Sequence, residues 1–321
     1  MSQRAGDKEP NLVETLQAFW KSEMGGNRRF LALMISTVFL WMPLSPNTAS
    51  AQGHSWQQIQ QEQEWATQRL AKSPRESAWV TFKQNDRTMK AWIDYPTAKG
   101  KAPVVIVLHE AFGLTDSTRN TADRIAEMGY IAIVPDMLAG FGPSGGGVDS
   151  FAEAESQMKK LISLSDQTVT DEINSWADYG RHLAGSSGKF FVVGLSWGGG
   201  AAFHYATMTN REDLKSIFVF YDVGPPRETQ KYADAPAQVP VDTITAPIHG
   251  FYPTNDTRVM KSFQATKDAM AAAHKTFDAV VYEGADHAYM RLAEDPSNTN
   301  PANVAAWKAS LERLENLLKA E

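Results

Sequence analysis

From about residue 79 to the C-terminus, short uninterrupted apolar runs alternate with longer segments of helical period. VVIVLH (Val104–His109) is mostly β-branched and has no polar alternation, the pattern of a strand covered on both faces. Thr118–Met128 repeats its apolar residues at helical spacing and stops at Gly129; Tyr130–Pro135 is the next buried strand. A glycine-rich loop, Gly140–Gly147, precedes helical stretches at 151–164 and 169–184. KFFVVGL (strand), GGAAFHYAT (helix) and Ser216–Tyr221 (strand) follow. A proline-containing linker of roughly 25 residues then leads to the strand APIHGFY, a helix over 258–274, a last strand Asp278–Glu283 and a closing helix Asn303–Lys319. Val80–Lys83 and Lys90–Pro96 are earlier strands joined by a polar turn at Asn85-Asp86. Residues 54–75, rich in Gln with scattered Trp, read as a short helix or loose arm. Strands separated by helices of 10–15 residues imply an α/β fold with a mostly parallel sheet and helices on both faces. In such sheets chemistry sits at the carboxyl ends of the strands.

Composition excludes several classes of function. The 321 residues contain no Cys, which removes disulfides, thiolate metal sites and a cysteine nucleophile. A net charge of −6 argues against a nucleic-acid surface, which needs a basic stripe. The N-terminus reads as an address: Arg28-Arg29, the uncharged apolar run Phe30–Leu44, then Ala49-Ser50-Ala51 before Gln52. A basic region, a short apolar region and an A-x-A site make a secretory signal peptide cleaved after Ala51, and so a periplasmic or secreted protein. The alternative is an uncleaved membrane anchor, but the run falls short of the about 18 apolar residues a span needs. Signals rarely begin so far into a chain, so Met24 competes with Met1 as the start. The chain thus divides into an extension with signal peptide (1–51), an arm (52–78) and the domain of alternating strands and helices (79–321).

Gly194-Leu195-Ser196-Trp197-Gly198 lies between a buried strand and the helix GGAA. A G-x-S-x-G at a strand–turn–helix junction is the nucleophile elbow of the α/β hydrolases. The turn is too tight for side chains two residues either side of the Ser. It lifts the hydroxyl above the sheet and presents the N–H of Trp197, at a helix N-terminus, to a developing oxyanion. The bland alternative is a glycine-rich turn whose Ser only caps a helix. In this fold the acid and then the base follow the nucleophile. His287, just past the last strand, fits the base; His274, in a helical Ala/Lys stretch, reads as solvated and His249 as a strand residue. Asp256, after the strand APIHGFY, fits the acid, and is placed to cap the next helix as well. Asp222, Asp242 and Asp286 compete for the same role. A second oxyanion donor belongs after Val104–His109, where the N–H of Ala111 stands. Metal ligation by His109-Glu110 is disfavoured, because no second His follows at helical spacing.

Five stretches together resemble the dienelactone hydrolase family over roughly residues 79–320: HEAFGL, GYIAIVPDMLAG, GRHLAGSSGKFFVVGLSWGGGAAF, FYDVG and YEGADHAYMR. The resemblance implies an α/β-hydrolase fold with an eight-stranded sheet and a Cys–His–Asp triad. By motif, the family's nucleophile falls on Ser196, its acid on Asp256 and its base on His287. Its active-site glutamate falls on Glu110, its oxyanion donors on Ala111 and Trp197, and its substrate-carboxylate arginine on Arg291. Two departures stand out. The nucleophile position holds Ser, which cannot rest as an anion at neutral pH, so His287 must deprotonate it during attack. The stretch Gly140–Gln157, where the family often has a further substrate arginine, has none.

The expected function is therefore an exported serine hydrolase cleaving carboxylic esters or lactones through an acyl-enzyme, with no cofactor or metal. Its partner is a small-molecule substrate rather than nucleic acid, with no stable membrane insertion after cleavage. Acyl transfer or peptide cleavage by the same triad is the alternative, and a non-catalytic binding protein a further one.

Overall fold

The computed structural model describes residues 55–222 and 240–321. The expected leader and most of the linker after the Ser216–Tyr221 strand lie outside these residues. Eight strands form one sheet: β1 (Ser77–Gln84), β2 (Arg87–Asp94), β3 (Ala102–Leu108), β4 (Ile131–Pro135), β5 (Ser186–Leu195), β6 (Leu214–Phe220), β7 (Ile248–Pro253) and β8 (Phe277–Tyr282). Their spatial order is β1-β2-β4-β3-β5-β6-β7-β8. The β1–β2 hairpin and the β2–β4 pair are antiparallel, and every pair from β4 to β8 is parallel. Asn85 turns the hairpin at φ 54, a conformation Asn tolerates better than most residues.

The helices are α1 (Trp56–Glu62), α2 (Glu64–Leu70), α3 (Asp116–Glu127), α4 (Ala154–Ile162), α5 (Asp166–Arg181), α6 (Trp197–Met208), α7 (Thr257–Ala272), α8 (Tyr289–Leu292) and α9 (Pro301–Ala320). They cover both faces of the sheet. Val105 and Val107 of β3 join one core with Ala122 and Ile125 of α3 and Leu314 and Leu318 of α9. Val104, pointing the other way, meets α5 so closely that a Cβ on Gly180 would lie 2.9 Å from it. This two-sided burial explains why β3 and β4 read as continuous apolar runs.

The segment before β1 forms two short helices fastened to α3. Gln60 Oε1 accepts from the N–H of Asp116 at 2.9 Å and Gln63 Oε1 from that of Ser117 at 3.1 Å. These are the first N–H groups of α3, whose N-cap Thr115 makes no side-chain cap bond. Side chains supplied 50-odd residues away thus satisfy a helix end. Arg69, Ser73 and Arg75 converge on the buried carboxylate of Asp123. Among the described residues no helix is long and apolar enough to cross a membrane.

Candidate active site

A strained backbone position lies directly after β5. Ser196 adopts φ 51, ψ −116, a strained conformation for a residue with a side chain. Its N–H donates to Phe220 O at 3.1 Å, while its carbonyl accepts from Gly199 and opens α6. A Cβ on Gly194 would lie 2.1 Å from Gly198 O, and one on Gly198 would lie 2.3 Å from Leu108 O. Only glycine fits at either place, and the elbow therefore sits hard against the end of β3. Trp197 is the first residue of α6, so its N–H belongs to the first turn of that helix.

His287 and Asp256 reach Ser196 from the two neighbouring loops at the same sheet edge. His287 Nε2 lies 2.9 Å from Ser196 Oγ, and its Nδ1 hydrogen-bonds Asp256 Oδ2. The other oxygen of Asp256 accepts from Val259 N–H at 3.0 Å and caps α7. Burial by itself would raise the Asp256 pKa. The hydrogen bond and charge of His287, the nearby Arg258 and the Val259 N–H outweigh it and hold the carboxyl below its ordinary value. The three side chains are buried and form one hydrogen-bonded line.

The loops bearing Asp256 and His287 are braced by Asp286. It accepts from Asn255 Nδ2 at 2.8 Å, Asn300 Nδ2 at 2.8 Å and Asn303 Nδ2 at 3.0 Å, and its N–H donates to Asn303 Oδ1. Asn255 N–H also donates to Ala285 O. Asp286 faces these asparagines, one residue from His287. Asp242 is exposed, and Asp222 lies at the end of β6, where a Cβ on Gly199 would come within 3.3 Å of it. His274 is exposed after α7. His249 is buried on β7, stacked on Phe218, with Nδ1 3.4 Å from Asp278 Oδ2.

Glu110 and Arg291 are paired with each other: Arg291 Nε donates to Glu110 Oε2 at 3.0 Å. Sequence reasoning gave no role to Tyr221, whose hydroxyl donates to Glu110 Oε1 at 3.1 Å. Its ring stands edge-on to His287, 5.1 Å between centroids, so one residue touches both His287 and Glu110. Its sequence signal was its place, directly after β6 at the functional edge. Ala111 follows Glu110 on the same loop, and its carbonyl accepts from the buried Gln157 Nε2 at 3.0 Å. His109 is fully buried and stacks on the Trp197 indole at 5.6 Å and 16°. Among the described residues no three His, Asp or Glu side chains are grouped to hold a metal ion.

The sheet order, the strained elbow between β5 and α6, and a site on the loops after the parallel strands define an α/β-hydrolase fold. The sequence profile of the dienelactone hydrolase family matches residues 89–319, and the chain belongs to that family. It is 28% identical over 204 residues to a Salmonella typhi protein named "Putative carboxymethylenebutenolidase", covering 63% of this chain and 73% of that one. It is 30% identical over 136 residues to the carboxymethylenebutenolidase of Pseudomonas putida, covering 42% and 56%. The crystal structure titled as a "Putative Dienelactone Hydrolase" from Klebsiella pneumoniae superposes with a TM-score of 0.61 at 23% identity, covering 74% of this chain and 97% of that one. The chain is accordingly an enzyme that hydrolyses ester bonds.

Proposed function

We propose that the protein is an exported serine hydrolase that cleaves carboxylic esters or lactones through an acyl-enzyme. The observation that carries this reading is the line Ser196 Oγ, His287 Nε2, His287 Nδ1, Asp256 Oδ2. His287 takes the Ser196 proton as Oγ attacks the carbonyl carbon, and the carbonyl π electrons move onto oxygen. The N–H groups of Ala111 and Trp197 hold that oxyanion. Collapse expels the alkoxide, which takes the proton from His287 and leaves an acyl-Ser196 ester. Water, deprotonated by the same imidazole, then attacks the acyl carbon; the bond to Ser196 Oγ breaks, Oγ takes the proton back from His287, and the acid is released. Asp256 keeps the proton on Nδ1 and stabilises the imidazolium. Glu110 and Arg291 orient the substrate beside the triad, and no cofactor takes part.

Ser196→Ala tests the assignment. Turnover of a short p-nitrophenyl ester falls by several orders of magnitude, since the triad acts as a unit. A fluorophosphonate adds its mass to the wild-type protein only. Undiminished turnover in the variant overturns the reading. Export rests on the Arg28-Arg29, Phe30–Leu44 and Ala49–Ala51 pattern. N-terminal sequencing of the exported protein should begin at Gln52, and an end well upstream of it rules out that cleavage.

A further inference from the structure

We infer that His109 is a positioning residue for the oxyanion hole: through its Nδ1–H it fixes and polarises the peptide unit whose N–H is that of Ala111. The inference rests on the catalytic reading above, because it concerns a donor that only an acyl-transfer site needs.

His109 Nδ1 lies 2.7 Å from Glu110 O, and Met137 N–H points at His109 Nε2 from 3.4 Å. An Nδ1 facing a carbonyl must donate, and an Nε2 facing an N–H must accept. The ring is therefore neutral with its proton on Nδ1. Protonation of Nε2 would set two donors against each other in a site closed to water.

The carbonyl receiving this bond shares a peptide plane with the N–H of Ala111. In a trans peptide the two groups point in opposite directions, so holding one aims the other. Glu110 O also accepts from Gly113 N–H at 3.0 Å. Two donors on one carbonyl draw electron density from the amide and make the Ala111 N–H a stronger donor. They also forbid the flip that would turn that N–H away, at the place where preorganisation matters most. On the far side of Ala111, Gln157 Nε2 holds the next carbonyl, so the peptide planes flanking this residue are both pinned. The imidazole lies in an offset, nearly parallel stack on the Trp197 indole, whose backbone supplies the second donor. One buried ring thus ties the two donors together from behind, without contact with substrate.

Leu and Asn are nearly the same size and shape, and an Asn amide nitrogen occupies the position of imidazole Nδ1. His109→Leu removes the donor, and His109→Asn restores it. With a short p-nitrophenyl ester, His109→Leu should lose about 10- to 100-fold in kcat, somewhat less than deleting an oxyanion donor outright, with KM nearly unchanged. Affinity for a boronic acid that forms a tetrahedral adduct on Ser196 should fall in parallel, and His109→Asn should recover most of both. Equal activity in the Leu and Asn variants, or a loss confined to KM, overturns the inference. If either variant fails to fold, long-range ¹H–¹⁵N imidazole spectra of the wild-type protein decide: a proton on Nδ1 supports the inference, and one on Nε2 refutes it. Wild-type activity in His109→Leu beside an inactive Ser196→Ala sinks the positioning role and leaves the triad standing. An active Ser196→Ala sinks the catalytic reading itself.

Discussion

Arg291 Nε and Glu110 Oε2 meet at 3.0 Å, and the hydroxyl of Tyr221 occupies the other oxygen of that carboxylate. The cation expected to meet a substrate carboxylate is thus already partly neutralised by a residue of its own site. In the proposed site, the response to substrate charge is therefore set by a balance between these two side chains.

Glu110→Gln keeps an oxygen for Tyr221 and removes the negative charge. The ratio of kcat/KM for a carboxylated ester to that for a neutral ester of equal length should rise by about tenfold, one partly screened charge interaction. Arg291→Ala should lower the same ratio. It also leaves the buried Glu110 carboxylate without its ion pair, costing up to about 3 kcal/mol of stability. A ratio unmoved in both variants rules out the pair as a control of substrate charge.

Asp256 does two jobs with two oxygens, and two variants separate them. Asp256→Asn retains the cap on Val259 N–H but cannot stabilise an imidazolium. Activity should drop by about 10⁴-fold with under about 1 kcal/mol lost in stability. Asp256→Ala should lose comparable activity and about 1 kcal/mol more in a urea titration. Equal denaturation midpoints for the two variants would contradict the capping role.

Asp94 is buried with one oxygen bonded to Trp92 Nε1 at 3.0 Å and the other without a hydrogen-bond partner. Burial raises its pKa to about 7, against the Trp92 bond, which lowers it. A raised carboxyl binds its proton more tightly folded than unfolded. The protein should therefore lose stability as pH rises from the unfolded value of about 3.9 to about 7. Asp94→Asn removes this group's share of the slope. Its Tm should match the wild type near pH 4 and exceed it increasingly up to pH 8, and parallel Tm curves from pH 4 to 8 would refute the assignment.

Asp123 carries the opposite signature. Burial favours its neutral form, but hydrogen bonds from Arg75, Ser73 and Arg69 prevail and lower its pKa to about 2. Its contribution is present above the unfolded value of about 3.9 and lost as pH falls towards 2. Replacing Arg69 and Arg75 together by Met leaves a buried carboxylate facing only Ser73, at a cost of about 3–5 kcal/mol. Adding Asp123→Leu should recover most of it. A double-Met cost near the about 1 kcal/mol of a surface pair would show that the arm is not anchored there.

The order of strands and helices was legible because burial on both faces leaves a local mark, an apolar run with no alternation. The boundaries moved by two or three residues, where caps decide: α3 begins at Asp116 because Gln60 and Gln63 receive its first N–H groups. The arm was readable as helical or loose but not as fastened, since its partners Asp116 and Asp123 lie about 50 residues away. Helix α8 has four residues, too few for any period. At the site, the elbow, Asp256 and His287 carry local signatures of turn, cap and strand end. Gln157 does not, and Tyr221 and His109 show only that each directly follows a strand. Each matters through a contact that exists only after folding, and in sequence a buried histidine beside a strand looks like any other.

The asparagine brace has a mechanical consequence. Asp286 links Asn255, beside the acid, to Asn300 and Asn303 at the start of α9, while standing next to the base. Acid and base thus ride on one stiff body, and the nucleophile stands on another, the elbow wedged against β3. Small displacements between these bodies change chiefly the 2.9 Å separation of Ser196 and His287. The contact that the proposed proton transfer must cross therefore lies at the junction of the two bodies, while the Asp256–His287 contact lies within one of them.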